Sequence, residues 1–391
     1  MSSPLQSIAG AFDPARLTQA RHVAGLTKKE LAERIGVSPA AVGQYETGSS
    51  RPRWDLIPRL ADSLNVPAQF FLVGRPHGKI DSSMAHFRSL RTTRVFQRAK
   101  AVALAEQVWE LAFALEKQVK LPPVDLPGFV DGEVHPGVDL PREPAMAAQT
   151  LRRMWGLGSD PISHVVRQME ARGIIVVLPP LDDDVKTVDA FSTSQLPRPI
   201  VVLTSNRYDD IHRYRFTAAH ELGHLVLHGD IAAGDTRQER EADAFAAEFL
   251  TPRQSIVPEL PGRLDLRCLA ELRQKWGVSV DSLIYRCREV GLLSDSSASR
   301  AWQRLNTLRD QPGFAPESIT GYPGEQPVLL RQAFDLAGLT IKGLADQLAW
   351  RPSHVRTLLG LPDQRPTLTL VRGGPAAHHQ QNVPQGLFDE S

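Results

Sequence analysis

"RFTAAHELGHLVLHGD" (residues 215–230) sets two histidines four residues apart around a glutamate, inside an apolar run. Thr217, Ala218, Ala219, Leu222, Leu225 and Val226 give the segment a largely apolar surface, as for a buried helix, and Gly229 supplies a stop just past it. On such a helix His220 and His224 project from one face, about one turn apart. That separation lets one ring nitrogen of each reach a single Zn2+ at roughly 2.0–2.1 Å. Glu221 stands beside them, placed to accept a proton from an attacking water rather than to ligate. The plainer reading is a helix whose histidines cap or hydrogen-bond within a core. An acidic helix downstream favours the metal.

Zinc hydrolases of this type need a third protein ligand and an open fourth position for water. His228 is set aside on geometry, because on one continuous helix it lies about 12 Å from His220. Asp230 stands where a longer three-histidine motif would need its last histidine, which excludes that class. The next helical stretch, "RQEREADAFAAEFLTP" (237–252), offers Glu239, Glu241 and Asp243, with Phe245, Ala246, Phe249 and Leu250 marking its buried side. Glu239 and Asp243 share one face and Glu241 lies round the other side. Spacing alone leaves all three open.

The chain begins with a different signature, "GLTKKELAERIGVSPAAVGQYETG" (25–48). Thr27 can cap a helix through Leu31 and Ile35, Gly36 makes a turn, and Ser38 with Pro39 starts the next helix. Two short helices joined this way match the helix-turn-helix build, whose second helix enters the major groove. Leu17, Leu31, Ile35, Val37, Val42, Tyr45, Leu56 and Leu60 are the candidate core of this head.

At 391 residues the chain is long for one domain, and an apolar fraction of 42% is enough for real cores. Its 45 basic and 44 acidic residues leave a net charge of +1, so any nucleic-acid signal must be local. Cys268 and Cys287 alone make no disulfide framework, which fits a reduced compartment. The longest apolar runs fall far short of the roughly 20 residues a membrane span needs, and "MSSPLQSIAG" lacks the build of a signal peptide. A soluble cytoplasmic protein with no membrane partner is expected.

Between the two signatures a helical pattern runs from about Ala85 to Gln118. "LPPVDLPGFVDGEVHPGVDLPREP", dense in Pro and Gly, reads as a linker, and "GIIVVLPP", "VDAFST" and "RPIVVLTSN" read as strands. One repeat stands out: "GLTKKELAERIGVSPAAV" (25–42) aligns without gaps to "GLTIKGLADQLAWRPSHV" (338–355). The second copy is either a degenerate helix-turn-helix or a helical hairpin using the same turn signals.

Residues 145–305 resemble the ImmA/IrrE family of zinc metallopeptidases through "WGLGSDPISHVVRQMEARGIIVVLPP", "RFTAAHELGHLVLH", "EREADAFAAEFLTP" and "KWGVSVDSLIYRCREVGLL". The resemblance implies His220 and His224 as ligands and Glu221 as general base. Its acidic-helix pattern implies Glu239 as third ligand, with Glu241 second. The family's "LLMP" ending is "FLTP" here. Residues 25–71 resemble the Xre/lambda-repressor-like domain, which implies a groove helix from Pro39 to Glu46. Ala40 and Ala41 offer only apolar contact, Gln44 is the base-reading candidate, and Lys28, Arg51 and Arg53 are the expected phosphate contacts. Arg75, Lys79, Arg88, Arg91, Arg94, Arg98 and Lys100 stand against Asp81 alone, either as a solvated face or as further backbone contacts with DNA.

The expected fold is mainly α, in the α+β class. A lambda-repressor-like helix-turn-helix domain (12–72) leads through a basic helical connector (73–118) and a linker (119–144) to a zincin-like metallopeptidase domain with a small β-sheet (145–307). A second linker (308–327), the possible second helix-turn-helix (328–360) and a disordered tail (361–391) complete it. ImmA/IrrE relatives cleave Xre-type repressors, so the resemblance implies a DNA-binding regulator whose zinc endopeptidase acts on such a repressor, or on itself. Operator DNA is the expected nucleic-acid partner and a homodimer the expected assembly. The alternative is a regulator, or a toxin–antitoxin-like component, whose zinc site senses or stabilises without turnover.

Overall fold

The computed structural model describes residues 4–76, 78–80, 86–87, 95–127, 129–130, 133–134, 140–179, 190–203, 210–229 and 235–362. Five helices open the chain: α1 (Pro4–Gly10), α2 (Pro14–Val23), α3 (Lys28–Ile35), α4 (Pro39–Thr47) and α5 (Ile57–Ser63). Thr27 and Glu30 cap α3 reciprocally, and Ser38 caps α4 with Pro39 at its first position. Seven of the eight candidate core residues are buried and Val37 is half-buried against them.

A two-residue strand, β1 (His86–Phe87), precedes the long helix α6 (Val95–Glu116). The helical pattern beginning near Ala85 is therefore interrupted: residues 86 and 87 pair with a sheet edge, which satisfies backbone groups that the sequence pattern assigns to a helix. Arg88, Arg91 and Arg94 of the basic stripe lie outside the described residues. Arg75 is half-buried, and its guanidinium donates to the carbonyls of Phe70 and Leu348. A buried polar network fastens the head to α6, where Arg16 pairs with Glu110 and Gln19 donates to Glu110 at 3.0 Å.

The Pro/Gly-rich stretch contains a small hairpin, β2 (Phe129–Val130) with β3 (Glu133–Val134), and Leu126 and Phe129 are buried in a core. After α7 (Pro144–Met154) and α8 (Val165–Glu170) come β4 (Ile175–Val177), β5 (Ala190–Thr193) and β6 (Ile200–Leu203). The sheet order is β1-β5-β6-β4, with β4 and β6 parallel and the other pairs antiparallel.

These apolar strands are buried on both faces. Ile175, Val177, Phe191, Ile200 and Val202 face the core that holds the head and α6. Val176, Ala190, Val201 and Leu203 face a second core. The sheet thus separates the side that holds the N-terminal head from the side that carries the histidine helix.

That second side holds α9 (Ile211–Leu227), α10 (Thr236–Leu250), α11 (Arg253–Ile256), α12 (Leu266–Trp276), α13 (Val280–Glu289) and α14 (Asp295–Leu308). The stretch read as a second linker, 308–327, is integral to this core. Glu325 is fully buried, pairs with Arg215 and accepts from the N–H groups of Val165 and Val166. A Pro/Gly-rich composition marks absent regular structure, and here it hides an ion pair between distant segments. Three helices close the described chain on the other face of the sheet: α15 (Leu329–Leu336), α16 (Ile341–Leu348) and α17 (Pro352–Leu358). Residues 363–391, most of the expected tail, lie outside the described residues. Among those described, no helix is long and apolar enough to cross a membrane, and both cysteines are free.

Candidate metal centre and DNA-binding face

Asp210 caps α9 by accepting from the N–H groups of His212 and Arg213, and the helix runs to Leu227 with His220, Glu221 and His224 all buried. Asp235 and Gln238 cap α10 reciprocally. The two helices meet closely at Gly223. A Cβ there would lie 3.0 Å from Phe245 Cδ1 and 3.3 Å from Ala242 Cα, so any larger residue would have to push a neighbour back by a few tenths of an ångström. The closeness brings Glu239 over the histidines.

His220 Nε2 and His224 Nε2 are 3.1 Å apart, and Glu239 reaches them at 3.5 Å through Oε2 and 3.4 Å through Oε1. Ligand atoms about 2.0–2.1 Å from a tetrahedral zinc stand roughly 3.3–3.4 Å from one another, and one ligand atom from each of the three residues lies within 4.8 Å of the other two, close enough to be drawn onto a common ion. Burial would raise the Glu239 carboxyl, but hydrogen bonds from His220 and His224 outweigh it and hold it down to about 2. The donor set of two imidazoles and one carboxylate suits zinc.

The outer nitrogens are also engaged. His220 Nδ1 lies 2.7 Å from Asp243 Oδ1, and His224 Nδ1 lies 3.1 Å from His228 Nδ1. His228 Nε2 in turn lies 3.0 Å from Glu241 Oε2, whose other oxygen accepts from Arg237 at 2.6 Å. Once a metal takes both Nε2 atoms, Nδ1–H of His224 would donate to His228, and Nε2–H of His228 would donate to Glu241. Such outer partners fix the tautomer and orientation of histidine ligands.

The three acidic candidates of α10 are thus separated by position. Glu239 faces the paired Nε2 atoms, Asp243 backs His220, and Glu241 backs His228. In the sequence His228 stands out only as a candidate ligand, set aside on distance. Its i+4 spacing from His224 was the available sign of an outer role. Ser192, whose Oγ donates to Glu221 Oε2 at 2.8 Å, gave no sign at all, being a strand serine 29 residues away.

In the head, Pro39, Ala40 and Gln44 are exposed along α4, while Ala41 is half-buried. Lys28 and Arg21 share Glu46, at 3.3 and 2.5 Å, which ties α4 to α2 and α3. Arg51 donates to the Gly10 carbonyl at 2.5 Å, and the exposed Arg53 pairs with Asp55 at 3.1 Å. The three cations expected on phosphates therefore each have a partner within the chain.

Comparison with known proteins agrees with this division. Residues 15–69 match the helix-turn-helix domain family, and residues 169–288 match the IrrE N-terminal-like domain family. The chain is 33% identical over 63 residues to vegetative-specific protein H7 of Dictyostelium discoideum, a match covering 16% of this chain and 61% of that protein. The chain thus joins an N-terminal helix-turn-helix domain to a metallopeptidase-like domain of the ImmA/IrrE type.

Proposed function

We propose that the chain is a DNA-binding regulator whose metal centre hydrolyses a peptide bond in a repressor-type protein, in cis or in trans. The observation behind this reading is the convergence of His220, His224 and Glu239 beside a fully buried Glu221 that Ser192 holds from the sheet. A structural zinc site needs a fourth protein ligand, and among the described residues this cluster offers three. Zinc, when bound, would polarise the scissile carbonyl and make the attacking water more acidic. Glu221 takes the proton from that water and delivers it to the leaving amide nitrogen. His220 and His224 stay oriented through Asp243 and His228.

Strand β1 supports the reading in cis. His86 pairs opposite Ser192, which sets the connector between head and α6 about 4.7–4.9 Å from the strand that holds Glu221. On the head, Gln44 reads a base edge, Pro39, Ala40 and Ala41 pack in the groove, and Lys28, Arg51 and Arg53 exchange internal partners for phosphates. The setting is a reducing cytoplasm, and a dimer reads two half-sites.

The test is the intact mass of zinc-loaded protein over time, alone and with DNA, beside Glu221→Gln. Discrete fragments from the parent alone establish self-cleavage and locate it. An added Xre-type repressor tests cleavage in trans. Unchanged masses in every arm would overturn the peptidase reading in favour of a site that senses or stabilises.

A further inference from the structure

The repeat seen in the sequence extends to the backbone. Gly25 and Gly338 hold left-handed φ values of 68° and 63° just before the second helix of each trio. Thr27 and Thr340 then cap that helix, each accepting from the backbone N–H three residues on. Both second helices end on a left-handed residue, Gly36 at φ 75° and Ala349 at φ 50°. In each, the next residue closes the turn: Val37 N–H donates to Ala32 O at 3.0 Å, and Trp350 N–H to Ala345 O at 2.9 Å. The third helices open on Pro39 and Pro352. A left-handed alanine is unfavourable for an L-residue, so turn signals alone do not explain it, whereas a retained helix-turn-helix geometry does.

The third helices are used differently. In α4 the positions Pro39, Ala40 and Gln44 are exposed. In α17, His354 stands where Ala41 stands and meets Gln107 of α6 at 2.7 Å. Thr357, in the place of Gln44, is half-buried and lines a cavity with Val176 and Val177 of β4. Trp350, the counterpart of Val37, is 3% exposed in the core shared with α2 and α6. Both neighbours are fastened to this unit. The Arg75 guanidinium bridges Leu348 O of α16 and Phe70 O of the head, and Glu170 of α8 accepts from Val328 N and Leu329 N at 3.0–3.1 Å.

From this placement we infer that residues 329–359 are a second helix-turn-helix copy turned from reading DNA to holding the DNA-binding head against the metal domain. Of the groove-reading positions of the copy, His354 and Thr357 are turned to α6 and β4, while Pro352 and Ser353 stay exposed. The clasp acts on the head without a covalent link and adds to the Arg16–Glu110 network on α6, so a single cut between head and α6 leaves the head in place and loss of the clasp shows in the rate at which it leaves. This holds whether or not the metal centre turns over.

The experiment uses the full chain with a site for a specific foreign protease inserted between residues 88 and 94. After cutting, the head should co-elute with the remainder on gel filtration. Its dissociation, followed by a fluorophore on the head, should be at least tenfold faster in Trp350→Ala and in Arg75→Ala. Arg75→Ala removes the bridge and the stacking of its guanidinium on Phe70 but leaves the buried tryptophan in place, so the comparison survives misfolding of the tryptophan variant. Immediate loss of the head from the cut parent, or equal rates in parent and Arg75→Ala, would overturn the clasp. In an independent arm, Ser353→Glu with Arg356→Glu should leave DNA affinity and its salt slope unchanged. A tenfold loss of affinity there would make α17 a DNA contact and overturn the inference.

Discussion

Ser192 Oγ donates a 2.8 Å hydrogen bond to Glu221 Oε2, linking the sheet to the helix that carries both histidines. Phe191, its neighbour on β5, faces the opposite core. The alternation of one strand therefore sets a carboxylate on one side and the packing of the DNA-binding side on the other. Ser192→Ala should lower the rate of peptide cleavage about tenfold and leave zinc content unchanged, as for other outer partners of a metal site. Turnover and metal analysis on the same preparation check this. A parallel loss of zinc would make Ser192 a support of the whole site.

Glu239→Ala should remove stoichiometric zinc. His228→Ala, one hydrogen bond beyond the ligand His224, and Glu241→Ala, two beyond it, should weaken zinc by about 10- to 100-fold at most. Competition titration against a chelator separates the two classes. Zinc lost with Glu241→Ala but retained with Glu239→Ala would reverse the assignment.

Gly223→Ala gains helix propensity of roughly 0.5–1 kcal/mol. Its Cβ, however, meets Ala242 Cα at 3.3 Å and the Phe245 ring at 3.0 Å. Phe245 is fully buried and stacks on Phe249, so neither neighbour gives way easily. The expected outcome is a net loss of about 1–3 kcal/mol in stability together with weaker zinc binding. Chemical denaturation with and without metal measures both.

Burial raises the Glu170 carboxyl from 4.5 to about 7, against the pull of hydrogen bonds from Leu329 and Val328. The native state thus binds more protons than the unfolded state between those values, and stability falls as pH rises through the interval. Glu170→Gln keeps an acceptor without the charge. Its stability relative to the parent should climb between pH 4.5 and about 7 and then level off, by about 1–3 kcal/mol. A difference independent of pH would place the ionisation elsewhere.

Gln44→Ala should weaken operator binding more than binding to unrelated DNA. Arg53→Ala should weaken both alike and reduce the salt slope by about one. Titrations at several salt concentrations distinguish them, and equal losses for Gln44→Ala would put the base contacts on another residue.

The helix-turn-helix was legible because its signals are local. Thr27, Gly36, Ser38 and Pro39 each dictate backbone geometry within a few residues. The pair His220 and His224 was legible for the same reason, since one helix fixes their spacing. What escaped the sequence depends on contacts between distant segments. Ser192 on Glu221, Glu325 on Arg215, and His86 and Phe87 across from β5 all join residues far apart in the chain. No periodicity encodes such a meeting, and a Pro/Gly-rich stretch like 308–327 looks alike whether it hangs free or packs. Glu239 falls between the two cases: spacing brought three acids into question, and the helix crossing at Gly223 set their positions.

The outer edge of β5 is occupied by the backbone of residues 86 and 87. A free sheet edge is a template on which any extended peptide can add as a further strand. Here the template carries a tethered occupant, whose effective concentration is on the order of millimolar for a short linker. A peptide from another molecule must outcompete that occupant, so its apparent affinity for this edge is reduced by the fraction of time the edge is bare. Since the occupant hangs from the DNA-binding head, anything that pulls on the head changes that fraction, and with it the tightness with which a foreign strand is held.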